Sequence, residues 1–144
     1  MVLRLHSELR VPERLLVIDA AEQVRTSYAR HFEAAGFAVR TVACFSEAQR
    51  LTPASFDAVI ADVCQPTADA PDPAIAAALR GTGAAVVVLT AYGEPARAAL
   101  AARIGVADAF LHKPVSLVWL EMLLRGRIAA RRHGRRGAPA PLPA

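Results

Sequence analysis

Four residues in this chain could do chemistry together: Asp19, Asp62, Thr90 and Lys113. Each stands at or just past the end of a short apolar run. Leu15-Leu16-Val17-Ile18 stops at Asp19, and Val59-Ile60-Ala61 stops at Asp62. Ala84-Ala85-Val86-Val87-Val88-Leu89 stops at Thr90, and the run from Ala107 to Leu111 leads into His112, Lys113 and Pro114. A carboxylate oxygen can attack phosphorus and form an acyl phosphate. A phosphoryl group in transfer spreads negative charge over its oxygens, so positioned donors and cations carry most of the catalysis. Thr90 can donate a hydroxyl to one oxygen and Lys113 can pair its ammonium with another. A Mg²⁺ ion would screen the repulsion between Asp62 and an anionic donor, with Asp19 a candidate oxygen ligand. Lys113 is the single lysine among 17 basic residues. A compact ammonium and a planar guanidinium are not interchangeable where an anion is approached through a narrow space.

These residues must be held by strands. Val59-Ile60-Ala61 has no polar face, so it reads as a strand covered on both sides. Arg14 to Ile18 and Ala84 to Thr90 read the same way, and Phe37 to Val42 alternates like a half-exposed edge strand. Between the strands come helical spacings. Val24, Tyr28, Phe32 and Ala35 mark a helix from Glu22, closed by Gly36. Ser46-Glu47-Ala48-Gln49 has the pattern of a capping box that opens a short helix. Asp72-Pro73 starts a helix that runs to about Arg80. Another helix spans Glu94 to Ile104, and Ser116 caps a last one through Leu124 or further. Five strand-then-helix units require parallel strands joined by right-handed crossovers. Parallel strands end together, so all four polar residues converge on one sheet edge, where ligands of open α/β sheets bind.

Composition narrows the class. The chain has 144 residues, 54% of them hydrophobic, enough for one domain with a sizeable core. No apolar run is long enough to span a bilayer and the first residues lack a signal peptide's apolar segment, so a cytoplasmic protein is expected. Cys44 and Cys64 have no metal-type spacing and read as reduced structural thiols. The formal charge of +4 is unevenly spread. Six arginines lie between Arg125 and Arg136 with no acid among them, leaving 11 basic and 13 acidic residues elsewhere, a balance of −2. A mildly acidic body therefore carries a basic tail, which reads as a solvated helix extension and linker rather than a nucleic-acid or membrane arm.

The segments Leu15-Leu16-Val17-Ile18-Asp19, Asp62-Val63-Cys64-Gln65-Pro66, Thr90-Ala91-Tyr92-Gly93 and Lys113-Pro114, taken in order, resemble a response-regulator receiver domain, the phosphoacceptor module of two-component signalling. The likeness covers roughly residues 14–125, with 1–13 an N-terminal extension and 126–144 a basic, Pro- and Ala-rich tail. It implies a flavodoxin-like (βα)5 doubly wound parallel sheet with strand order 2-1-3-4-5. It implies Asp62 as phosphoacceptor, Thr90 as switch hydroxyl, Lys113 as the phosphate-pairing lysine and Phe110 as the aromatic that turns inward. A cis peptide between Lys113 and Pro114 goes with these roles. Mg²⁺ would be held by Asp19, Asp62 and the backbone carbonyl of Cys64. The expected partner is a histidine kinase or a phosphotransfer protein, and the chain is not an enzyme beyond self-phosphorylation and self-dephosphorylation at Asp62.

The sequence also departs from the family. A receiver usually carries two adjacent acids after its first strand; here they are Asp19 and Ala20. The second acid is ordinarily the direct metal ligand, so Mg²⁺ binding is expected to be weak, with Glu22 as a partial substitute. The loop after Asp62 lacks the usual glycine. These departures support an alternative: a pseudo-receiver that works by protein contact without phosphorylation. A haloacid-dehalogenase type of phosphatase would need an acid two positions after its nucleophile, where Cys64 stands. In the last helix, Leu117, Leu120 and Leu124 form the sheet-facing stripe. Val118, Trp119, Met122 and Leu123 lie largely off it. That surplus fits a second buried contact, through a homodimer built from the Glu94–Ile104 helix, the last strand and the last helix or through an output partner, unless the N-terminal extension covers it. Only eight residues follow Arg136, too few for a helix-turn-helix, so no DNA-reading domain is expected in this chain.

Overall fold

The computed structural model describes residues 11–51, 55–62, 84–90 and 109–137, with the side chains of Val88, Thr90, Phe110, Arg135 and Arg136 outside that set. The helices expected at 73–80 and 94–104, the loop carrying Cys64, and the two chain ends lie outside the described residues.

Five strands form one parallel sheet in the order β2-β1-β3-β4-β5. They are β1 (Arg14–Ile18), β2 (Ala38–Val42), β3 (Ala58–Asp62), β4 (Ala85–Thr90) and β5 (Ala109–His112). The order is the one expected from the sequence. Strand β2 lies at the edge, and its alternating exposure ends in a buried Val42. The central strands are apolar on both sides because both sides are covered. Leu15, Val17, Ala58, Ile60, Val87 and Leu89 point to one core, while Leu16, Ile18, Val59, Ala61 and Val86 point to the other. The alternation follows from the two-residue period of a strand.

Helix α1 (Glu22–Ala34) places Tyr28 and Phe32 in the first core, beside Phe37. Gly36 then takes φ +98°, a conformation that favours glycine, and the chain turns back into β2. The short helix α2 (Phe45–Gln49) covers the other face with Ala48, aided by Phe45, Leu51 and Phe56. Its start differs from the expected capping box. Cys44, not Ser46, is the N-cap residue, and no side chain caps it. Glu47 instead accepts the Ala43 N–H at 3.1 Å, and Ser46 Oγ bonds Cys44 Sγ at 3.0 Å. Cys44 is not a residue of the box motif, so the motif did not mark the start; the helix begins two residues earlier than Ser46 would place it, with Phe45 and Ala48 packed on the core.

Helix α3 (Leu117–Gly137) starts where expected: Ser116 Oγ accepts the Trp119 N–H at 3.3 Å. Leu120 and Leu124 are fully buried, and Ile128, one turn further on, is 3% exposed. Leu123, expected to lie off the buried stripe, packs partly against the core. Arginines of this helix also work structurally. Arg125 lies 4.6 Å above the Phe37 ring and donates to the Ala35 carbonyl. Arg132 pairs with Glu13 at 2.9 Å and Asp57 at 3.0 Å, beneath the amino-terminal ends of the strands. Glu121 completes the seam to α1 through His31 at 3.0 Å. Among the described residues, no helix is long and apolar enough to cross a membrane.

Candidate functional site

The register explains why distant residues meet. Ile18 is level with Ala61, so Asp19 and Asp62 each stand one step past a paired position. Asp62 is level with Leu89, which precedes Thr90, and Thr90 is level with His112, which precedes Lys113. All four residues therefore fall on the carboxyl edge of neighbouring strands. The peptide between Lys113 and Pro114 is cis, as the resemblance implies.

The side chains of three of them form a cluster. Lys113 Nζ donates to Asp19 Oδ2 at 3.1 Å and lies 3.3 Å from Asp62 Oδ1. Both carboxylates are nearly out of solvent, with side-chain exposures of 2% and 7%, while Lys113 keeps 25%. Buried charge is tolerated only when paired and hydrogen-bonded. Asp19 meets that condition: its second oxygen accepts the Ala21 N–H at 2.9 Å, and its own N–H reaches the Val42 carbonyl. Burial by itself would lower the Lys113 pKa; the hydrogen bond it donates to Asp19 and the charges of Asp62 and Asp19 outweigh it, and the pKa is raised. The ammonium is thus held charged between two carboxylates. One cation against two anions leaves the cluster with a net charge of −1 when all three are ionised.

Two contributors were not visible as site residues in the sequence. Arg25, one turn into α1, donates to the carbonyls of Asp19 at 2.8 Å and Ala20 at 3.0 Å. It fixes the backbone that carries Asp19 without touching the carboxylate. Tyr28, buried against Phe32, has its pKa raised by burial first; the Lys113 charge opposes the shift and the Asp19 and Asp62 charges add to it. Its phenol therefore lies within the field of the cluster. The only signal for either residue was its place on the helix that follows Asp19.

Glu22 opens α1 and is exposed, lining an open groove with Arg25, Thr26 and Thr41. Among the described residues no group of three or more metal-ligating side chains comes together. Thr90 ends β4 and Phe110 lies within β5 opposite Val88, but the hydroxyl contact and the inward aromatic concern side chains outside the described set. Cys64 lies outside it altogether.

No protein-family model matches the chain, and no curated protein matches it in sequence. Solved structures do. A response regulator from Burkholderia pseudomallei, whose structure holds a phosphorylated aspartic acid, a calcium ion and citrate, is similar with TM-score 0.66 and 29% identity. The match covers 85% of this chain and 72% of that one. A response-regulator receiver domain from Clostridium thermocellum matches at TM-score 0.69 and 26% identity, over 83% of this chain and 97% of that one. The receiver domain of a signal-transduction histidine kinase from Syntrophus aciditrophicus matches at TM-score 0.69 and 22% identity, over 82% and 91% of the two chains. Strand order, strand-end residues and these likenesses together give the chain the fold of a response-regulator receiver domain. Its distinguishing mark is Ala20, where receivers usually carry a second acid.

Proposed function

We propose that Asp62 accepts a phosphoryl group from a histidine kinase or a phosphotransfer protein, and that the acyl phosphate switches a protein-interaction surface. The observation behind this reading is the Lys113 ammonium set between the Asp19 and Asp62 carboxylates, at 3.1 and 3.3 Å. In that place it can follow the charge from the Asp62 carboxylate to the phosphoryl oxygens formed on it. An Asp62 oxygen attacks phosphorus, a P–O bond forms, and the bond to the donor breaks with its electron pair leaving on the donor. Asp62 is poised for attack because Asp19, anchored through Ala21 and Arg25, holds the lysine from the far side. Thr90, next along the edge, supplies a hydroxyl to the phosphoryl group. Phe110 on the adjoining strand follows that hydroxyl inward.

A hard divalent cation fits this donor set, since two buried carboxylates share one ammonium and keep a net negative charge. Asp19 and Asp62 would hold it together with the Cys64 carbonyl, and Glu22 could add a ligand through water. Bound there, it would offset repulsion between Asp62 and the incoming anion. With alanine at position 20 its affinity is low. The phosphorylated aspartate and calcium reported for the B. pseudomallei response regulator support the same assignment for this chain. The switching surface comprises β5, α3 and the segment Glu94–Ile104, which also forms the contact of a homodimer. The role is signalling; turnover is limited to gain and loss of the phosphoryl group at Asp62.

Incubation with acetyl phosphate, with and without Mg²⁺, followed by intact-mass measurement tests the reading. The expected result is a Mg²⁺-dependent gain of one phosphoryl group that is absent in Asp62→Asn. No adduct at any Mg²⁺ concentration would overturn it.

A further inference from the structure

The link between β1 and α1 is Asp19-Ala20-Ala21, and two of these residues have no polar side chain. Ala21 is the N-cap of α1 and offers no side-chain cap. A helix start of this kind lacks the local tie that a serine or an aspartate would supply. Yet this start carries the carboxylate that grips Lys113. The backbone groups of the link show what holds it instead. The Asp19 N–H donates to the Val42 carbonyl at 3.1 Å, and the Ala21 N–H donates to Asp19 Oδ1 at 2.9 Å. The bonds to the three carbonyls of the link all come from one residue. Arg25 Nη1 donates to the Asp19 carbonyl at 2.8 Å and to the Ala20 carbonyl at 3.0 Å, and the Arg25 N–H donates to the Ala21 carbonyl at 3.0 Å.

One guanidinium nitrogen spanning two successive carbonyls fixes the planar peptide between them. The Asp19 side chain leaves the backbone beside that plane, so the same bonds set the direction of its carboxylate. That carboxylate is 2% exposed, with Oδ1 on the Ala21 N–H and Oδ2 on Lys113. Lys113 in turn lies 3.3 Å from Asp62. Arg25 therefore stands at the head of a series: guanidinium, Asp19 backbone, Asp19 carboxylate, Lys113 ammonium, Asp62. The remainder of its side chain lines the open groove with Glu22, Thr26 and Thr41.

We infer that Arg25 is a positioning residue for phosphoryl transfer: by clamping the Asp19 and Ala20 carbonyls it aims the Asp19 carboxylate at Lys113, and so sets the rate at which Asp62 gains a phosphoryl group without touching that group. This rests on the proposed role of Asp62. Small misplacements of a group that must meet a transferring phosphoryl are costly in rate, which is why a residue remote from the reacting atoms can govern it. The two carbonyls are only partly buried, so loss of the clamp exposes them to water and costs the fold little.

The test compares the full chain with Arg25→Met, which keeps an unbranched stem without the donors, and with Arg25→Lys, which restores a cationic donor. Uptake of phosphate from acetyl phosphate is followed by intact mass at fixed high Mg²⁺. In Arg25→Met the maximal rate is expected to fall by about tenfold, with the half-saturating acetyl phosphate concentration unchanged and the melting temperature lowered by no more than about 4 °C. Arg25→Lys is expected to recover most of the rate. The ratio of wild-type to Arg25→Met rates should be the same at low and high salt, because a clamp on backbone is not screened as a distant charge is. Lys113 is the single lysine, so labelling with [15N]lysine gives one side-chain ammonium signal in NMR. That signal is expected to shift or broaden in Arg25→Met. An unchanged rate, a raised half-saturating concentration at unchanged maximal rate, a rate ratio that vanishes at high salt, or no rescue by lysine would overturn the inference. If the wild type itself gains no phosphoryl group, the proposed function fails, and the NMR arm still decides whether Arg25 places Lys113: an unchanged ammonium signal overturns the inference on its own.

Discussion

At the scale of single residues, Lys113 decides how the site behaves. It is the only lysine in a chain that otherwise uses arginine, and it stands where a compact cation must touch two carboxylates at once. Composition flagged it, and the meeting of parallel strand ends placed it on the same edge as Asp19 and Asp62. Its raised pKa gives stability a definite pH dependence. A basic group whose folded pKa lies above its unfolded value contributes fully below the unfolded value, and that contribution fades as pH rises through the folded one. Tyr28 acts in the same direction, because the buried phenol keeps its proton at a pH where the unfolded chain has lost it. The melting temperature should therefore fall as pH is raised above about 10, and Tyr28→Phe should make the fall shallower. A flat profile through that window in thermal unfolding would contradict the assignment. Ala20 is the other decisive residue. It is exposed beside Asp19, so Ala20→Asp can add a ligand without disturbing the core. Calorimetry should show Mg²⁺ binding tightened by about tenfold, the effect of one added charged oxygen ligand; unchanged affinity would mean that the cation does not sit beside Asp19.

At the scale of elements, α3 holds the most that the sequence did not reveal. Its first turns follow from the leucine stripe and Ser116, and both were legible. Its second half looks like solvated basic tail in the sequence because arginine dominates it. In the structure Ile128 continues the leucine stripe into the core, Arg125 stacks on Phe37, and Arg132 reaches Asp57 and Glu13. A lone isoleucine among arginines gives a weak periodic signal, and ion pairs to residues over seventy positions away give none. The exposed pairs contribute little individually, on the order of 0–1 kcal/mol. Ile128 should matter more: Ile128→Ala is expected to cost about 3 kcal/mol, measured by chemical denaturation. A cost near zero would mean that the helix beyond Arg125 is an appendage. The start of α2 was misplaced for a different reason, since Ser46 to Gln49 fits the box pattern while the helix begins at an uncapped Cys44, with Phe45 and Ala48 against the core.

At the scale of the whole molecule, the fold was readable because each buried strand is a short β-branched run and each described helix stop carries a recognisable breaker. Parallel connection then required the strand ends to coincide, and Asp19, Asp62 and Lys113 do meet. The order β2-β1-β3-β4-β5 came with the resemblance and not with periodicity, which is silent on neighbours. Burial, hydrogen bonding to backbone and the grip of Arg25 on the loop after β1 were beyond reach, because they depend on how α1 seats against the sheet. The proposed function makes one carboxylate, Asp62, the acceptor and the other, Asp19, its anchor. That distinction can be read from the chain directly. After reaction with acetyl phosphate and Mg²⁺, borohydride reduces an acyl phosphate to the alcohol, and peptide sequencing by mass spectrometry locates the resulting homoserine. The assignment of Asp62 as acceptor predicts homoserine at position 62 and unaltered aspartate at position 19. Homoserine at position 19, or at neither position, would contradict it.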